Sequence, residues 1–247
     1  YPRLYRDRKT RPDRLLNRTV NFGDHAASGI TTANIIRAAW ALVVSCYAGG
    51  RNVVFGSVTA GRTSDVQDID RVAAPTLATV PLAFRLDPAQ PVSAFLQQVQ
   101  DDAARMMPFE QAGIQNLKTM CGSPGAGEYT SLLVVHPDQP DPFASFAESL
   151  GHAVQAQDDS LARPEFHSDP VTVDCFLKPR GADLCVSYDS AQVSPAQMSH
   201  VLAVFELVLS QFCAVASARS PDVPLEHVGL LPGSHLATIR GWNGAVP

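Results

Sequence analysis

A chain of 247 residues, 45% of them hydrophobic and 17% charged, is long enough to bury one large core or two small ones. The formal net charge is −5, and the only basic run is the arginine-rich start between Arg3 and Arg18. This argues against an extended phosphate-binding face, so nucleic acid is not an expected partner. No apolar run reaches the roughly 20 residues of a membrane span, because the most apolar stretch, 35–47, carries Arg37 and Ser45. The opening residues do not read as a signal peptide.

Residues 1–21 are charged and poor in apolar periodicity, so 1–27 reads as a linker or lead-in, and the folded unit is expected over 28–232. Thr31 or Thr32 caps a helix in which Ile35, Ile36, Ala39, Leu42, Val43, Cys46 and Tyr47 recur at helical spacing, and Gly49-Gly50 stops it. Residues 53–60 predict a strand, with Val53, Phe55, Ser57 and Thr59 on one face and Val54, Gly56 and Val58 on the other. A second strand is predicted over 76–86. The helix predicted over 91–107 has Val92, Phe95, Leu96, Val99 and Met106 on one stripe and is ended by Pro108. A short helix over 110–120, a glycine loop over 122–127 and a strand over 129–135 follow. Segment 137–169 is proline-rich and acidic and predicts a long excursion, with one strand near Ala153. Two strands, 171–177 and 183–188, joined by Lys178-Pro179-Arg180-Gly181-Ala182, predict a hairpin. Ser194-Pro195-Ala196-Gln197 offers an N-cap, a proline at the first helical position and a glutamine three residues past the cap. The helix it opens buries Met198, Val201, Leu202, Phe205, Val208, Leu209 and Phe212. The fold class is α/β (α+β), a mixed sheet flanked by helices.

The five cysteines, Cys46, Cys121, Cys175, Cys185 and Cys213, are odd in number, widely spaced and outside any C-x-x-C pair. They read as free thiols in a reducing compartment, and a cytoplasmic location is expected. The run from Gly56 to Thr63 follows a strand and has glycines five apart, but Arg62 stands where a phosphate-binding loop needs lysine. Asp65, Asp68 and Asp70 then crowd the next turns with charge that repels phosphate. The seven histidines are scattered, none at the i, i+4 spacing of a zinc helix, so no metal is expected. No G-x-S-x-G elbow occurs. His136, at a strand end beside Asp138 and Asp141, reads as a surface histidine in preference to a general base. Glu110 sits at a helix boundary, where it caps free amides or serves a site.

Four motifs in order carry a resemblance. They are Ile36-Arg37-Ala38-Ala39-Trp40-Ala41-Leu42, Val54-Phe55-Gly56-Ser57-Val58-Thr59-Ala60-Gly61-Arg62, Ala74-Pro75-Thr76-Leu77-Ala78-Thr79-Val80-Pro81-Leu82, and Met107-Pro108-Phe109-Glu110-Gln111-Ala112-Gly113-Ile114-Gln115-Asn116. Together they resemble the second half of fungal-type condensation domains of nonribosomal peptide synthetases. The likeness continues at lower specificity through 129–136 and the final hairpin and helix, and 233–247, with Trp242-Asn243, looks like a linker toward an adenylation domain.

The resemblance implies a chloramphenicol-acetyltransferase-like fold, in which two similar subdomains form a V around a tunnel. Donor and acceptor carrier domains deliver thioesters to the tunnel's two ends, and the acceptor amine attacks the donor carbonyl. No cofactor is expected to bind directly, because the substrates ride on phosphopantetheine arms of the carrier domains. The family's H-H-x-x-x-D-G motif belongs to the other, N-terminal subdomain. No two histidines are adjacent here, so this chain supplies no catalytic residue and is expected to be inactive alone. By the same resemblance Arg62 pairs with the aspartate of that motif. Ser57, Thr59, Thr76 and Thr79 are short polar side chains placed to line the tunnel, with ordinary strand positions as the alternative. Phe109, Glu110 and Gln115 are expected to shape the tunnel floor or hold its loop. Segment 137–169 is either the crossover onto the other subdomain or a surface loop. Competing readings are a non-catalytic condensation-like module that docks carrier or partner domains, an epimerisation domain, and a standalone acyltransferase. The adenylation-like join disfavours the second and the lack of a base the third.

Overall fold

The computed structural model describes residues 10–23, 29–62, 68–69, 76–122, 125, 127–138, 168–233 and 235–236. The described strands are β1 (Arg14–Asn21), β2 (Asn52–Thr59), β3 (Ala78–Arg85), β4 (Ser131–His136), β5 (Val171–Lys178) and β6 (Gly181–Tyr188). They form one mixed sheet in the order β1-β6-β5-β4-β2-β3. β2, β4 and β5 run parallel, whereas β1, β6 and β3 pair antiparallel with their neighbours. The described helices are α1 (Thr32–Ala48), α2 (Val92–Met106), α3 (Ile114–Cys121) and α4 (Pro195–Ala216), with 3-10 turns at Met107–Phe109 and Leu225–His227.

Helices α1, α2 and α4 cover one face of the sheet. A column of rings ties the layers together: Phe55 of β2 stacks on Phe84 of β3 at 5.3 Å, Phe84 meets Phe95 of α2, and Phe95 meets Phe212 of α4. Trp40 of α1 packs edge-on against Phe205 of α4. Phe55, Phe95, Phe205 and Phe212 are fully buried, and Leu133, Val173, Leu184 and Val186 extend the same core across the central strands. α4 is long and apolar enough by length and composition to cross a membrane, but its stripe from Met198 to Phe212 is buried in this core.

Local signals set the helix ends. The Thr31 side chain accepts from the Asn34 amide, and Gly49, at φ 66°, closes α1 in the left-handed conformation. A capping box opens α4: Gln197 N donates to Ser194 Oγ at 3.3 Å, and Ser194 N donates to Gln197 Oε1 at 2.9 Å. All five cysteines are free, and burial pushes the Cys213 thiol up to about 12 and raises that of Cys175 as well.

Three elements differ from the sequence expectation. Residues 14–21, read as lead-in, form edge strand β1 and pair with β6 along their whole length. Its alternation is hidden because Arg18 stands on the core side between Leu16 and Val20. The Arg18 guanidinium is held by Glu206 of α4, with Nη2 at 2.6 Å from Oε2. The hairpin link is two residues, Pro179-Arg180, not five, because Lys178 joins β5 and Gly181 and Ala182 join β6. Gly181 is required there: a Cβ would lie 2.3 Å from the Val20 carbonyl oxygen of β1. Helix α3 starts at Ile114, after the 3-10 turn that Pro108 occupies. The strand expected near Ala153 lies outside the described residues.

Phe95→Ala is expected to lower stability by about 3–5 kcal/mol, read from urea unfolding. Gly181→Val is expected to strip amide-exchange protection from 14–21 while leaving α4 protected, since it displaces β1 alone.

Candidate functional site

The parallel strands β2, β4 and β5 point their C-terminal ends the same way, which in open α/β sheets is where ligands bind. Ser57 pairs with Leu133, and Leu133 with Val173, so Thr59, Val135 and Cys175 end level with one another. One residue further lie Ala60, His136 and Phe176.

At the end of β2 the chain turns through Gly61, at φ 63°. A Cβ there would sit 1.9 Å from the Thr76 carbonyl oxygen and 2.3 Å from Gln111 Nε2, so only glycine permits this crossing. Three hydrogen bonds stitch the region. Thr76 Oγ1 donates to the Ala60 carbonyl at 2.7 Å, Gln111 Nε2 donates to the Thr76 carbonyl at 2.9 Å, and Thr59 Oγ1 reaches the Ala78 carbonyl at 3.4 Å. The motif around Arg62, the one around Thr76 and the one around Glu110 therefore meet in space. Arg62 is exposed on this turn, and its Nη1 donates to the Ile69 carbonyl at 3.1 Å.

The remaining expected residues divide. Ser57 and Thr59 share the helix-covered face with Phe55 and are buried, the Ser57 hydroxyl with no hydrogen-bond partner. Thr79 pairs with Val58, so it faces the opposite side and is exposed. Phe109 is 68% exposed on the 3-10 turn, and Leu77 and, to a lesser degree, Met107 in the same motifs are exposed as well. Gln115 is exposed on α3. Glu110 is buried. Burial depresses the pKa of the Arg37 guanidinium, and the charge of Glu110 opposes that effect. Arg37 Nη1 donates to Asn34 Oδ1 at 2.8 Å, and Asn34 Nδ2 to Gln100 Oε1 at 2.8 Å. Asn34 and Arg37 border a cavity of about 260 Å³ between α1, α2 and β3, floored by Leu82, Phe84 and Val99.

Two participants escaped the sequence reading. Gln111 lay within a quoted motif but was not singled out, although it holds Thr76. Asp174 is the partner of His136: Nε2 lies 2.9 Å from Asp174 Oδ1 on the adjacent strand. The signal for it was an aspartate between Val173 and Cys175, a charged group in an otherwise apolar strand, which calls for a polar partner. No group of three or more metal-ligating side chains occurs among the described residues.

A family profile described as "Condensation domain" matches residues 21–171, more than half of the chain. The chain belongs to the condensation-domain family. Fungal nonribosomal peptide synthetases are similar along its length: gloA of Glarea lozoyensis is 32% identical over 252 aligned residues, covering 100% of this chain and 3% of that protein. The synthetase sidD of Aspergillus fumigatus is 31% identical, covering 100% of this chain and 11% of its own length. Among solved structures, the first condensation domain of the CDA synthetase superposes with a TM-score of 0.64 at 15% identity, covering 91% of this chain and 49% of that one. A four-domain nonribosomal peptide synthetase bound to AMP and glycine superposes with a TM-score of 0.67 at 13% identity, over 92% of this chain and 19% of that one. The chloramphenicol-acetyltransferase-like fold expected from the motifs is the one observed. The condensation-domain chain thus spans about half of the solved single domain and a small part of its synthetase relatives.

Gly61→Ala is expected to destabilise the chain by more than Gln111→Ala, which removes one hydrogen bond worth about 1 kcal/mol. Urea unfolding of the two variants side by side reads the order.

Proposed function

We propose that this chain is the C-terminal half of a condensation domain. Joined to the half that carries the histidine motif, it forms amide bonds between carrier-bound thioesters in nonribosomal peptide synthesis. The observation that carries this reading is the match to about half of a solved condensation domain by a chain with no two adjacent histidines.

In that reaction the acceptor amine nitrogen attacks the donor thioester carbonyl carbon. The C–N bond forms, the C–S bond breaks, the amine sheds one proton, and the sulfur leaves as a thiol. Both reactants arrive tethered to phosphopantetheine arms of the donor and acceptor carrier domains, so alignment supplies much of the rate. This half contributes a wall and a joint, and the other half contributes the base. Arg62, at the tip of β2, pairs with the aspartate of the partner half's histidine motif; a guanidinium has donors enough for both that carboxylate and the Ile69 carbonyl. Thr79 lines the wall. Thr76 and Gln111 hold the Arg62 turn, with Phe109, Glu110 and Gln115 shaping the floor beside it. The stretch 233–247 leads to a downstream adenylation domain, and the free thiols suit a cytoplasmic protein.

A second reading, a module that docks carrier or partner domains without chemistry, draws on the exposed Leu77, Met107 and Phe109. One experiment separates the two. Purified alone with two loaded carrier domains, the chain is expected to form no amide; joined to its N-terminal half, it is expected to form amide at a rate that Arg62→Ala lowers by roughly 10- to 100-fold. Amide formation by the chain alone sinks the half-domain reading, and none from the joined domain favours docking.

A further inference from the structure

The sheet face turned away from α1, α2 and α4 holds a fixed imidazole that the proposed reaction leaves unassigned. His136 ends β4, and its Nε2 lies 2.9 Å from Asp174 Oδ1 on β5. The Phe176 ring lies flat against the imidazole, with centroids 4.3 Å apart and planes 7° from parallel. Two neighbours on β5 thus fix both the tilt and the rotation of the ring. Asp174 keeps only 8% of its side-chain surface, whereas His136 keeps 32%.

A carboxylate this buried takes donors, so the proton of the neutral ring belongs on Nε2, and Nδ1 is the ring's acceptor. Among the described residues no group donates to Nδ1. The level of the ring matters as much as its chemistry. β4 lies beside β2, and His136 stands level with Ala60, one residue before the Gly61 turn that carries Arg62. Pairing places His136, Val58 and Thr79 on the same side of the sheet. Every described side chain here assigned to the wall or joint therefore lies at this end of the sheet, and the one imidazole among them is held with its acceptor nitrogen unbonded.

We infer that His136 is a substrate-contacting residue of the amide-forming site, its Nδ1 accepting a hydrogen bond from the attacking amine. Asp174 and Phe176 are positioning residues that act through it. The inference rests on the reading that this face lines the site. A primary amine carries two N–H groups, and His136 holds the one that the amide retains. The other proton leaves through the base of the partner half as the C–N bond forms and the thiol departs. Holding one N–H aims the nitrogen lone pair at the thioester carbon.

Single-turnover amide formation by the intact condensation domain, with donor and acceptor loaded on their carriers, tests this. His136→Leu is expected to lower the rate constant about tenfold with the acceptor-carrier KM unchanged. His136→Gln, whose amide oxygen also accepts, is expected to stay within about twofold of wild type, and Asp174→Asn to fall between. Thr79→Trp, which fills the wall, is expected to abolish the reaction. If Thr79→Trp is active, the face does not line the site, and the inference falls with that reading. If Thr79→Trp is dead but His136→Leu is as fast as wild type, the wall stands and the role of His136 is wrong. If His136→Gln is as slow as His136→Leu, the ring acts only by packing on Phe176, which also overturns it. Should His136→Leu not fold, as judged by its urea midpoint, the comparison of Gln and Asn variants decides alone: both at the wild-type rate refutes the role.

Discussion

The ring column from Phe55 through Phe84 and Phe95 to Phe212 commits one face of the sheet to helices. Each ring buries on the order of 150–250 Å², so that face has no room for a substrate. Ser57 and Thr59, in register with Phe55, are drawn into the helix side by the same alternation that puts Thr79 and His136 opposite. Packing thus sorts side chains of similar chemistry into the core and the opposite face of the sheet.

The same constraint explains how the motif regions meet. Gly61 lets the β2 end pass under Thr76, and Gln111 closes the crossing from the far side of α2. Residues fifty positions apart in the chain are held by one turn that tolerates no side chain. The turn matters to Arg62 because a backbone that does not wander fixes where its guanidinium can reach.

Much of this was legible in the sequence. The capping box at Ser194 and Gln197, the glycine stop at Gly49 and the stripe of α4 are local signals, and the structure realises them. β1 was not legible, because Arg18 interrupts the core-side alternation and its partner Glu206 lies 188 residues away. The face of Thr79 follows from strand register, which no single strand encodes. His136 and Asp174 were each visible as residues, yet their pairing depends on β4 and β5 becoming neighbours across a 34-residue connection, 137–170. Sequence showed the local order of the site, and topology decided its contacts.

Among the described residues the sheet ends on β3, which borders the cavity beside Arg37. Pro81 sits in the middle of that strand, a residue sheets accept at their margins because it offers no amide hydrogen to a neighbour. An open margin otherwise invites strands from other molecules to add on. A proline there blunts the tendency of that margin to pair with a strand of another molecule.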